Sequence, residues 1–187
     1  MVVLLVVAAA LVGACDPGAA TSFDPTGPCT ADGSAPGAYP DLEARVPERY
    51  EGRAPDLLDS GRNCSSENLG VLADAGIAEV RFAGGTWNFG SDIAAVLAVF
   101  RADGLTAGHL AEFYAASARA AGRTEVTGES ELTIERRPAW RLDTTTGDRI
   151  QSVVVWPSAD PGVVNVVISH NLPDPKIEAA IAAFGGT

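Results

Sequence analysis

The chain has 187 residues with 13 basic and 24 acidic side chains, for a formal net charge of −11. That length suits one domain with a real core, preceded by a tail. The charge argues against nucleic acid as a partner, because phosphate binding needs a basic patch or stripe, and the one adjacent pair of bases, Arg136-Arg137, follows Glu135.

The first segment, Val2 to Val12, is uncharged and almost wholly aliphatic. It is shorter than the roughly 20 residues of a transmembrane helix. It matches the apolar core of a secretory signal peptide, roughly 7 to 15 residues. Small residues then lead to a cysteine in Val12-Gly13-Ala14-Cys15. This segment resembles the lipobox of bacterial lipoproteins. The resemblance implies a signal peptide over residues 1–14 and a mature chain starting at Cys15, acylated on its thiol and often on its amine. Each buried acyl methylene contributes about 0.8 kcal/mol, so two or three chains hold a protein on a membrane. The implied location is the extracytoplasmic side of a cell membrane, with the lipid as anchor. Plain secretion, an uncleaved signal held in the membrane, and a buried valine-rich strand are the competing readings.

Residues 16–40, DPGAATSFDPTGPCTADGSAPGAYP, are rich in Pro, Gly, Ala, Ser, Thr and Asp. Such a composition buries too little apolar area to offset the cost of ordering it. With Cys15 it reads as a lipidated, flexible tether over residues 15–55. Residues 41–62 stay irregular and acidic, with Tyr50 and Leu57-Leu58 docking on the domain. Apart from Cys15, two cysteines remain, Cys29 and Cys64. An oxidising compartment lets them pair, closing a loop worth roughly 3 to 4 kcal/mol. Two unrelated thiols are the alternative. No CxxC spacing suggests a redox dithiol or a zinc knuckle.

The folded domain is expected over residues 56–187. Ser65 or Ser66 caps a helix over 66–75 that Gly76 ends. IAEVRFAG reads as a strand from its period-two positions Ala78, Val80 and Phe82. GGTWNFGSD reads as a turn or loop bearing two aromatics. Ile93 to Phe100 is apolar on all sides, which fits a central strand packed on both faces better than an amphipathic helix. The clearest helix starts at a Thr106 cap and stops at Gly122. Its inner face is Leu110, Phe113, Ser117, Ala118 and Ala121, with Tyr114 beside them. Several short strands follow up to VVNVVIS, and DPKIEAAIAAF closes the chain as a helix with Pro175 in its first turn.

Hairpin-linked strands with few helices imply an α+β domain whose antiparallel sheet carries helices mainly on one face. By element order over residues 64–184 it is similar, loosely, to small α+β envelope domains of the PsbP/Mog1-like kind. It also resembles bacterial lipoproteins that end in a strand, Trp-Pro and a terminal helix. The resemblance transfers no functional residues.

Catalytic patterns are thin. His109 and His170 are the only histidines. A metal site needs three or four clustered ligands, and neither HExxH nor paired cysteines supply them, so no metal and no cofactor is expected. GxSxG is missing, and Ser152, Ser158 and Ser169 lack an elbow. Glu129 and Glu131 share a strand face, where solvated carboxylates are the ordinary case. Gly84-Gly85 could expose backbone N–H groups, and Trp87 and Phe89 could form an aromatic platform at the sheet rim, although core packing is the commoner role for such residues. The expectation is therefore a membrane-anchored, non-enzymatic binding or envelope-support protein. Its partner is a small apolar ligand or an envelope protein at a rim of Gly84, Gly85, Trp87 and Phe89. A hydrolase acting on envelope material through a dispersed site is the alternative.

Overall fold

A computed structural model describes residues 23–186. Eight strands carry it: β1 (Gly33–Ala35), β2 (Leu57–Asn63), β3 (Val80–Gly90), β4 (Ile93–Arg101), β5 (Glu125–Ile134), β6 (Arg137–Thr146), β7 (Arg149–Pro157) and β8 (Val163–His170). They form one sheet in the order β1-β2-β3-β4-β8-β7-β6-β5, antiparallel at every pairing. Five short helices accompany them: α1 (Pro40–Glu43), α2 (Ser66–Leu69), α3 (Val71–Asp74), α4 (Ala107–Ala120) and α5 (Asp174–Ala183). No helix among the described residues is long and apolar enough to cross a membrane.

Side chains alternate across a strand, and here both sides are buried. In β7, Val153 and Val155 join a core with Leu110, Phe113 and Tyr114 of α4. Their neighbours Val154 and Trp156 join a second core with Leu42 of α1 and Ile177 of α5. Strand β4 divides in the same way, Ala98 and Phe100 to one side, Leu97 and Val99 to the other. The unbroken apolar run at Ile93–Phe100 is thus a central strand covered on both faces, as its lack of a polar face implies.

The expected fold class needs correction on two counts. Strands hold 42% of the described residues and helices 23%, so the sheet dominates and the α+β description does not hold. Helices also cover both faces rather than mainly one, with α2, α3 and α4 on the first core and α1 and α5 on the second. The second face escaped notice because α1 and β2 lie in the stretch read as irregular.

The tether expected over residues 15–55 is corrected in its described part. Tyr39, Leu42, Val46 and Tyr50 are at most 7% exposed and close the α5 side of the sheet. Strand β1 pairs with β2, and a disulfide joins Cys29 to Cys64 with Cα atoms 6.0 Å apart. Asp32 accepts hydrogen bonds from the backbone N–H of Cys64 (2.6 Å) and Ser65 (2.9 Å), and from Asn68 Nδ2 (2.6 Å). Burial alone would raise the pKa of Asp32, but these bonds and one from the Ser65 hydroxyl hold it below the ordinary carboxylate value. Composition misled here because the segment is ordered by partners distant in sequence, not by its own apolar content.

Strand β2 was missed for a related reason. Ser60, Arg62 and Asn63 are polar yet buried. The Arg62 guanidinium donates to the carbonyls of Gly27 (2.7 Å), Asp24 (3.0 Å) and Pro28 (3.1 Å), so the upstream segment satisfies a cation that composition alone places in water. Gly61 has no space for a side chain, since a Cβ there meets the Gly33 carbonyl and Phe82. The helix expected over 66–75 is two short turns, broken where Gly70 takes φ 49°.

Candidate functional site

Helix α4 lies over the sheet because its cap and its apolar face agree. The Thr106 hydroxyl accepts from the His109 N–H at 3.1 Å, satisfying one of the free first-turn donors. Leu110, Phe113, Tyr114 and Ala118 then point into the first core. Between this helix and the sheet is a cleft of about 230 Å³, roofed by Phe113, Tyr114, Ser117 and Ala118.

Strand register builds the floor as two transverse rows. The inner row runs Thr86, Val96, Ile168, Val153, Leu142 across β3, β4, β8, β7 and β6. The outer row, two residues along each strand, runs Asn88, Ala94, His170, Gln151, Thr144. The inner row is apolar except at Thr86; the outer row is polar except at Ala94. Thr124 and Thr146 complete the mouth, their hydroxyls 2.9 Å apart. No Asp, Glu, Lys or Arg lines this cleft.

Two buried hydroxyls in the lining, Thr86 Oγ1 and Tyr114 Oη, have no hydrogen-bond partner among the described residues. Tyr114 is 8% exposed, and burial pushes its phenol well above the ordinary value. Burial, and then the positive charge of Arg149, lowers the pKa of His170. The imidazole on the outer row is therefore neutral at pH 7, with one nitrogen donor and one acceptor. A second, more open cleft of about 350 Å³ shares Tyr114, Leu142 and Val153 with the first and is bordered by Glu112, Glu129, Glu131 and Trp140.

The residues expected at a ligand rim sit elsewhere. Gly84, Gly85, Trp87 and Phe89 all belong to β3, not to a loop. Gly84 and Gly85 are buried and face Ala98 and Leu97 of β4 in register. A Cβ on Gly85 would come within 2.8 Å of the Trp87 ring and 3.1 Å of Val46, so this glycine makes room for a tryptophan rather than for an anion. Trp87 is 0% exposed, and its Nε1–H donates to the Arg53 carbonyl at 3.0 Å. Phe89 packs edge-on to Tyr50, ring centroids 5.8 Å apart, under the Arg53 guanidinium. Gly85, Trp87 and Phe89 are thus a filled core contact on the α5 face, while Gly84 faces Ala98 and Val96 on the other. Cys15 lies outside the described residues.

Ser152 and Ser169 do not share a face with His170. Ser152 and Ser169 face the second core, where their register partner is Ala95, whereas His170 faces the α4 cleft. The Ser152 hydroxyl donates to Asp143 Oδ1 at 2.5 Å, and Arg141 holds both Asp143 (2.9 and 3.0 Å) and Asp174 (2.7 Å). That cluster is internally satisfied and ties α5 to the sheet. No group of three metal-ligating side chains occurs among the described residues.

Sequence reasoning named His170 but not its neighbours Thr86, Asn88, Thr144 and Gln151. Each stands singly in its strand, and only the register aligns them. No protein-family model matches the chain, and no curated protein matches it.

Proposed function

We propose that this protein is a binding domain for a small, largely apolar ligand, carried in the cleft beneath α4 and held at the extracytoplasmic face of a membrane through acylated Cys15. The observation that supports binding is a cleft with an apolar inner row and a polar mouth, in whose lining Thr86 and Tyr114 carry buried, unpartnered hydroxyls. A buried hydroxyl without a partner costs about 1–3 kcal/mol, and a ligand that bonds to it recovers part of that cost. Small-molecule sites are characteristically apolar clefts with a few convergent polar groups. The anchor rests on the Val12-Gly13-Ala14-Cys15 segment.

Binding is tested with the neutral apolar dye N-phenyl-1-naphthylamine. The full chain should enhance its fluorescence saturably. Ser117→Phe, which fills the roof of the cleft from a half-buried position, should abolish the enhancement without lowering the melting temperature. No saturable enhancement, or an unchanged S117F signal, overturns the reading. The anchor is tested by Cys15→Ala, which should release the protein from the membrane fraction and block lipid labelling.

A further inference from the structure

We infer that the ligand of the α4 cleft is a single-chain amphiphile with an uncharged, hydroxyl-bearing headgroup, such as a monoacylglycerol. This rests on the binding role proposed above and adds the chemical class. Polarity along the strands supplies its orientation. The outer row of Asn88, His170, Gln151 and Thr144 offers amide, hydroxyl and imidazole groups at the mouth. Two residues deeper, Val96, Ile168, Val153 and Leu142 offer hydrocarbon, and Thr86 at the β3 end of the row is its one polar residue. A headgroup at the outer row places its chain on the inner row, under Phe113 and Tyr114.

Charge supplies the headgroup class. No cation lines the cleft itself, and the lowered pKa of His170 keeps it from supplying one at pH 7. Arg149, near enough to act on His170, lines the adjoining hollow that shares Asn88, Ala94 and His170, where it is 64% exposed and pairs with Asp92 at 3.5 Å. An ammonium headgroup meets no carboxylate there either. Burying an unpaired charge is far more costly than burying a hydroxyl that finds a partner. Thr86 Oγ1 and Tyr114 Oη are the unused hydrogen-bonding groups, and both suit the alcohol and ester oxygens of a polyol ester.

Size limits the chain count. At about 230 Å³ the cleft is smaller than most small-molecule sites, which span roughly 300–1,000 Å³. On the inner side the cleft continues past Tyr114, Leu142 and Val153 into the second cleft. One chain follows that course, and a second has no further room in a cleft of this volume.

The experiment is displacement of N-phenyl-1-naphthylamine from the delipidated full chain by 1-monopalmitoylglycerol, palmitate and palmitoyl-lysophosphatidylglycerol, each below its critical micelle concentration. The monoacylglycerol should bind at least about tenfold more tightly than either anion, equal to ~1.4 kcal/mol. The double variant T86V/Y114F should weaken monoacylglycerol binding about tenfold, the size expected from losing hydrogen bonds, and weaken dye binding by much less, with no fall in melting temperature. If the double variant melts early, Y114F alone, which removes one oxygen atom, should still weaken the monoacylglycerol several-fold and the dye by much less. Equal or tighter binding of either anion, or variants that bind the monoacylglycerol as wild type does, overturns the headgroup class; saturable dye binding in the same cuvette then leaves the binding role standing. A wild-type chain that binds no dye overturns both.

Discussion

The two faces of the sheet hold similar apolar cores but are finished differently. On the α5 face the upstream segment lays Tyr39, Leu42, Val46 and Tyr50 over Trp87 and Val99. The polar ends of its aromatics are used there. Trp87 donates to Arg53, and the Tyr50 hydroxyl donates to the Lys176 carbonyl at 2.9 Å. Burial, with Glu51 nearby, pushes the Tyr50 phenol up to about 12. On the α4 face, Thr86 and Tyr114 keep buried hydroxyls with no partner, above a cleft that the helix does not fill. One face is closed by the chain itself, and the other keeps a cleft with unpartnered hydroxyls in its lining.

The largest test of this contrast is Trp87→Ala. Deleting a fully buried tryptophan costs about 3–5 kcal/mol, so urea unfolding should show a loss of that size. A loss below about 1 kcal/mol would place Trp87 on an adaptable surface and erase the distinction between the faces. Next is the bond that fastens the upstream segment. C29S/C64S should lose about 2–5 kcal/mol, the range for native disulfides in small exported domains, and should raise hydrogen exchange first in β1 and β2. Uniform loosening of both faces would show that the segment does not specifically secure the α5 side.

The smallest expected effect belongs to the cleft. In the folded protein the His170 pKa lies below its ordinary value of 6.5. Below pH 6.5 the unfolded chain therefore takes up a proton more readily than the folded one, and stability falls as the pH drops toward and through the folded value. Above 6.5 the His170 contribution is complete. His170→Gln should flatten the stability profile between pH 7 and 5 while W87A leaves its slope unchanged. An unaltered slope in H170Q would mean that His170 is not desolvated by the roof and walls of the cleft.

Elements driven by local pattern were legible. The Thr106 cap and the 3.6-residue spacing of Leu110, Phe113 and Ala118 locate α4, whose observed span is Ala107–Ala120. The run Ile93–Phe100 locates β4. The Cys29–Cys64 pairing follows from there being two cysteines besides Cys15. What failed depends on distant partners. β2 reads as polar because Arg62 finds its acceptors at Asp24, Gly27 and Pro28. Gly84-Gly85 reads as a turn because the residues that hold it in a strand, Asp59 and Leu58 of β2 and Ala98 and Leu97 of β4, lie on other strands. The α4 cleft was invisible for the same reason. Thr86, His170 and Gln151 become neighbours only through pairings that no short window contains.

The seam between β4 and β8 has a consequence for how the molecule assembles. Even its closest register pair, Arg101 with Val163, encloses α4 and the β5–β7 meander in the intervening chain. Contacts of such long sequence separation form late, because loop-closure entropy must be met before they stabilise anything. Both rows of the cleft floor cross this seam, at Val96 with Ile168 and at Ala94 with His170. A nascent chain halted before β8 has the roof and four of the five floor strands, but nothing to join β3 and β4 to β6 and β7, so the cleft is complete only when this last long-range pairing has closed.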